Sequence, residues 1–161
     1  MRIVFANETH IPGMIRLLDQ VGRVHHEIRP DLFRSGARKY GEADLARLLK
    51  DPNRPILIGE IDGQVAGYCF CILQETRGDS VLCDRKVLYI DDRCVEENRR
   101  GSGIATALYH RACEFAREIG CRSVTLNVWC GNDNAMSFYE RRGMKPRNIH
   151  MEFALEENHA D

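Results

Sequence analysis

The chain has 161 residues, 43% of them hydrophobic and 29% charged, with a formal net charge of -1. That length fits a single domain, 1–161, with a core of useful size and a loose charged tail at 156–161. A charge near zero removes any global attraction to nucleic acid or an anionic membrane surface, so no nucleic-acid or membrane partner is expected.

"RIVFA" (2–6) reads as a first strand, and Ile11, Met14, Ile15, Leu18 and Val21 recur at helical spacing from His10 to Ile28, before Pro30. After a polar loop, "EADLARLLK" makes a short second helix closed by Pro52. "PILIGEID" and "QVAGYCFCILQE" are strand-like runs joined at Asp62-Gly63, a tight-hairpin signal. "RGDSVLCDR" is a longer hairpin loop, and "KVLYIDDRCV" (86–95) is the next strand. Ile104, Leu108, Ala112, Phe115 and Ile119 then line one face of a helix that Gly120 caps. "RSVTLNVW" (122–129) reads as a strand, Asn132 or Asp133 caps a short helix through "NAMSFYERRG", and "IHMEFAL" (149–155) alternates as a last strand.

This order is an antiparallel meander followed by one strand–helix–strand crossover, an α+β arrangement with helices on both faces of a mixed sheet. The N-terminal stretch is not a secretory signal, and no apolar run approaches the roughly 18 residues of a membrane span. The seven cysteines (69, 71, 83, 94, 113, 121 and 130) form no C-x-x-C pair and no convergent metal-ligand set, which suggests reduced thiols in a cytoplasmic protein without a metal.

The stretch "NRRGSGIA" (98–105) lies between a strand and a long helix. It is neither a Walker loop nor a dinucleotide fingerprint, since the lysine of the first and the third glycine of the second are missing. The first N–H groups of a helix nonetheless lack internal partners and sit at the positive end of its dipole. Glycines let a ligand approach that backbone closely, and Arg99 or Arg100 adds charge, so the stretch suits an anion.

Arg100-x-x-Gly103-x-Ala105 resembles the coenzyme A pyrophosphate loop, Q/R-x-x-G-x-G/A, of the GNAT N-acetyltransferase superfamily. Asn132-x-x-Ala135-x-x-Phe138-Tyr139, followed by Gly143, is similar to that family's N-x-x-A-x-x-x-Y-x-x-x-G segment. The resemblance implies a three-layer fold whose mostly antiparallel sheet splays at a cofactor cleft, between strands 86–95 and 122–129. It also implies acetyl-CoA as cosubstrate. Its pantetheine arm would pair with backbone at Arg93, Cys94 and Val95 like an added strand. Its pyrophosphate would rest on N–H groups of Arg100, Gly101, Ser102, Gly103, Ile104 and Ala105, with Asn132 contacting it from the other side.

Transfer to an amine raises two proton problems. An alkyl ammonium with a pKa near ~10.4 must be deprotonated, at roughly 4–5 kcal/mol at neutral pH. A carboxylate can take that proton, directly or through water, and Asp91 and Asp92 are the candidates. Alternation of side chains along a strand points at most one of them into the cleft. "YIDD" (89–92) resembles the matching strand of spermidine/spermine acetyltransferases, in which the first acid is the proposed base, favouring Asp91. The departing thiolate needs a proton too, and Tyr139 stands where the family has its general acid. Donation from a phenol near ~10 to a thiolate near ~8.5 is uphill by only about 2 kcal/mol. Asn127 occupies the position of a glutamate base in some protein N-terminal acetyltransferases, and an amide cannot serve as one.

The expected activity is therefore transfer of acetyl to a primary amine of a small molecule, polyamine or peptide. The alternative is a non-catalytic acyl-CoA-binding module on the same fold. His25, His26 and Glu27 are candidates for lining the acceptor mouth, and the family resemblance suggests a homodimer.

Overall fold

The computed structural model describes residues 1–155 and separates into two units, Met1–Asn127 and the segment from Val128 onward. The tail at 156–161 lies outside the described residues.

In the first unit the meander forms as the turn chemistry demands. Strand β2 (Ile56–Ile61) returns as β3 (Gln64–Thr76) through Asp62 and Gly63. Both turn residues have positive φ, 50° and 73°, the geometry that matches the natural twist of a hairpin. Strand β1 (Arg2–Phe5) lies antiparallel to β2, and β4 (Arg85–Val95) antiparallel to β3. Strand β5 (Ser123–Leu126) pairs with β4 in parallel, giving the spatial order β1-β2-β3-β4-β5.

Helix α1 (Ile11–Ile28) and helix α2 (Glu42–Leu48) cover one face of this sheet. Met14, Leu17, Leu18 and Leu45 are fully buried there, in one cluster with Ile56, Ile58, Tyr68 and Phe70. Helix α3 (Ile104–Glu118) covers the other face through Ile104 and Leu108, also buried. It sits close because Gly59 and Gly67 face it. A Cβ on either glycine would come within 2.7 or 2.9 Å of Ile104 Cγ2. The three layers and the mixed sheet agree with the expected architecture.

Helix α4 (Asp133–Glu140) belongs to the second unit and is capped at Asn132, whose Oδ1 accepts the Ala135 N–H at 3.2 Å.

Two expected elements change. The strand read over 122–129 is confined to Ser123–Leu126. The run 149–155 forms no strand, and Ile149, Met151, Phe153 and Leu155 are 80–89% exposed. Alternation defines a face, but a strand exists only where a neighbouring backbone completes its ladder.

Candidate active site

Strand β4 is longer than its partner β5. Their ladder runs from Val87–Ser123 to Ile90–Leu126 and stops, so β5 does not pair with the backbone of Asp91–Val95. The ladder stops because β5 itself ends at Leu126, so β4 from Asp91 to Val95 has no strand paired on that edge among the described residues.

From Val95 the chain passes through one 3-10 turn, Glu97–Arg99, into the glycine loop. Gly101 and Gly103 take φ of 79° and 87°, a left-handed conformation that side chains disfavour. Gly103 is the N-cap of α3 and has no side chain to cap it. The N–H groups of Gly101, Gly103, Ile104 and Ala105 consequently find no acceptor among the described residues. Two of the six residues read as the cradle use their N–H groups within the loop. Arg100 donates to the Glu97 carbonyl at 3.2 Å, and Ser102 to that of Arg99 at 3.3 Å. The Arg100 guanidinium is exposed and lies 3.7 Å from the Glu97 carboxylate, so it can turn toward an anion.

A residue that the periodicity concealed holds this region together. Gln20 on α1 is buried, donates from Nε2 to the Val95 carbonyl at 2.9 Å, and accepts the Glu97 N–H at 3.1 Å. Its Nε2 also lies 3.2 Å from Cys94 Sγ. One amide thus fixes both the end of β4 and the entry to the loop. The signal available in sequence was its spacing, three residues after Leu17 on the apolar stripe of α1. Arg16, one turn earlier, bridges Glu96 and the Val65 carbonyl. The Cys94 thiol is pushed up to about 12 by burial and by nearby Asp92, so it is no nucleophile at neutral pH.

The two candidate carboxylates do not alternate as expected. Phe70 pairs with Asp92 and Cys71 pairs with Ile90, leaving Asp91 as the extra residue of a β-bulge. A bulge reverses the parity of the strand after it. Ile90 shares a face with the α3 side, whereas Asp92 and Cys94 share one with α1. The extra residue turns the same way as Asp92, and its hydrogen bonds confirm the direction. Asp91 accepts from Lys39 Nζ at 2.7 Å and from the Tyr40 hydroxyl at 2.8 Å, both on the segment leading into α2. Asp92 accepts from the hydroxyl of fully buried Tyr68 at 2.9 Å. Both acids therefore face the α1/α2 layer, which corrects the alternation expected of neighbouring strand residues.

Their surroundings separate them. Burial raises the Asp92 carboxyl above its ordinary range, against the opposing effects of the Tyr68 hydrogen bond, Lys39 and His25. Its bond to Tyr68 ties β4 to β3 inside the core. Asp91 keeps a cation and a phenol as partners, with its side chain 12% exposed. Burial and the bond to Asp91 push Tyr40 up to about 12, so its hydroxyl stays a donor throughout the neutral range.

The histidines close the same layer. His25 stacks on Phe33 at 4.9 Å, and His26 Nδ1 donates to the Phe33 carbonyl at 2.6 Å. Asn127 donates to the Tyr89 hydroxyl at 3.1 Å, an amide acting as a donor where a base was excluded.

The structure thus brings together Asp91, Arg93, Cys94 and Val95 on one strand, with the loop from Arg100 to Ala105 after it. Asn132 and Tyr139 lie in the second unit. The Asn132 side-chain oxygen is engaged by its own helix, which leaves the amide nitrogen for a ligand. Tyr139 is buried near the end of α4. Beside it the Arg142 guanidinium covers the Phe138 ring at 3.5 Å and donates to the Phe138 carbonyl at 2.8 Å.

The chain is similar to known proteins in sequence and in fold. An uncharacterized N-acetyltransferase of Methanocaldococcus jannaschii is 31% identical over 102 residues, covering 63% of this chain and 44% of that protein. The chain therefore spans less than two thirds of the first curated relatives it matches, 60% for one of Mycobacterium bovis. A mutant of the BH1408 protein from Bacillus halodurans has the same fold at a TM-score of 0.92 and 27% identity, covering 97% of this chain and 100% of that one. Aminoglycoside N-acetyltransferase AAC(6')-Iy, solved in complex with CoA, shares the fold at a TM-score of 0.73 and 15% identity, over 96% of this chain and 99% of that one. The family match runs over residues 21–144, from the middle of α1 past the opened strand and α4, and the chain belongs to the Acetyltransferase (GNAT) family.

Proposed function

We propose that this protein is an acetyl-CoA-dependent N-acetyltransferase acting on a primary amine of a small molecule, polyamine or peptide. One observation carries the reading. The β4–β5 ladder ends at Ile90–Leu126, and the strand beyond it leads into a loop whose N–H groups at Gly101, Gly103, Ile104 and Ala105 find no acceptor among the described residues. An opened strand edge suits an amide-bearing arm added as a strand, and an uncapped helix start suits a pyrophosphate. The fold shared with a CoA-bound acetyltransferase supports the same cosubstrate.

Acetyl-CoA supplies an electrophilic thioester carbon and a thiolate leaving group. The chain's own groups supply the proton transfers. Asp91 takes a proton from the acceptor ammonium, which competes with Lys39 for that carboxylate, and Tyr40 orients it. Tyr139 donates its phenolic proton to the departing thiolate. The Asp91 carboxylate, which already holds the Lys39 ammonium, favours a cationic acceptor. The Lys39–Asp91 ion pair also favours a second reading, an acyl-CoA-binding module whose carboxylate stays neutralised.

A panel of amines and peptides assayed for CoA release tests both readings. Turnover should fall by about 10²–10⁴-fold in Asp91→Asn and in Tyr139→Phe, the range for loss of a general acid or base. Undiminished turnover in both variants overturns the mechanism. Thioester binding without turnover on any acceptor selects the second reading.

A further inference from the structure

We infer that Lys39 is an internal acceptor, so that the protein acetylates its own Lys39 Nζ when acetyl-CoA is present without a competing amine. The inference rests on the proposed role of Asp91. Lys39 Nζ lies 2.7 Å from Asp91 Oδ1, the distance and partner that an acceptor ammonium requires. The contact joins residues 52 apart in sequence, so the tertiary fold delivers this amine to this carboxylate. Its neighbour Tyr40 anchors the delivery. The Tyr40 hydroxyl is bound to Asp91 Oδ2 and its ring lies 5.6 Å from that of Phe70. The Lys39 side chain is 44% exposed, so one side of the ammonium meets the carboxylate while another stays open to an incoming carbonyl carbon.

The chain has four lysines, and the others lack this setting. Lys86 Nζ donates to the Ile119 carbonyl at 2.9 Å, and Lys50 and Lys145 are exposed.

The step balances without a further reactant. Asp91 accepts one proton from the Nζ ammonium, and the freed lone pair attacks the acetyl thioester carbon. The C–N bond forms, the C–S bond breaks, and the remaining extra proton on nitrogen leaves as the thiolate is protonated to free CoA. The product is a neutral amide, which removes the cation from Asp91.

The test is intact-mass and peptide analysis of the full chain after incubation with acetyl-CoA alone. One acetyl group per chain, on Lys39, is the expected result. Lys39→Arg should abolish the label while keeping a cation beside Asp91. Asp91→Asn should slow labelling of Lys39 by about 10²-fold or more, down to the level seen on Lys50, Lys86 and Lys145. Equal labelling of all four lysines overturns the inference, as does labelling of Lys39 that Asp91→Asn does not slow. An unlabelled chain that still releases CoA with amines overturns the inference alone. An unlabelled chain inactive on every amine overturns the proposed catalysis as well.

Discussion

Replacing Gly67 by alanine tests whether the close seat of α3 on the sheet positions the anion loop. The added Cβ would stand 2.9 Å from Ile104 Cγ2, 3.0 Å from the Cys94 carbonyl oxygen and 3.2 Å from Leu108 Cδ1. One of these neighbours is backbone, and Ile104 and Leu108 are buried with no room to rotate away. Overpacking of this kind costs about 1–3 kcal/mol. Exchanging glycine for alanine inside a strand recovers about 0.5–1 kcal/mol of backbone entropy. At the middle of these ranges the clash prevails, leaving a net loss of about 1 kcal/mol, or about 2–4 °C in Tm for a chain of this size. Ile104 is the first residue of α3, so the displaced turn is the one bearing the free N–H groups. The KM for acetyl-CoA should rise more than kcat falls. Urea denaturation with a double-mutant cycle identifies the cause. Ile104→Ala alone costs about 2–5 kcal/mol, but it removes the atom that Gly67→Ala strikes. The pair should therefore cost less than the sum by about 0.5–3 kcal/mol. A Gly67→Ala variant as stable as the parent, or an additive pair, refutes this account of the layer spacing.

Gln20→Ala strips the partners from the Val95 carbonyl and the Glu97 N–H, and should destabilise the protein by about 1–3 kcal/mol. It should also raise the KM for acetyl-CoA with a smaller effect on kcat, and saturation kinetics at parental values would remove Gln20 from the site. Asp92→Asn tests the raised carboxyl pKa through the pH dependence of stability. Because the folded protein holds this proton more tightly than the unfolded chain, stability falls as pH climbs from the ordinary value of about 3.9 through the raised one. The amide removes that penalty, so its stability relative to the parent should grow across this window and level off above it. Parallel curves in urea titrations from acid to neutral pH would contradict the assignment.

Much of the site was legible because its signals are local. The glycines of "NRRGSGIA" mark positive φ at Gly101 and Gly103, Asn132 caps its own helix, and Asp62-Gly63 closes a hairpin. Each depends on a few neighbouring residues. The alternation of Ile149, Met151, Phe153 and Leu155 misled for the complementary reason, since a strand needs backbone partners from elsewhere in the chain.

Alone, the sequence determined most of the elements, their order and a mixed sheet with helices on both faces, because helical and strand periodicity, caps and turn residues are properties of short segments. Only the tertiary structure decided the roles around the acids. An extra residue in β4 leaves no trace in the spelling "YIDDRCV", yet it turns Asp91 and Asp92 to one face. Gln20 reaches Val95 across 75 positions and Lys39 reaches Asp91 across 52. Strand register and long-range hydrogen bonds arise when whole layers pack, and they place one carboxylate against a buried tyrosine and the other against a lysine.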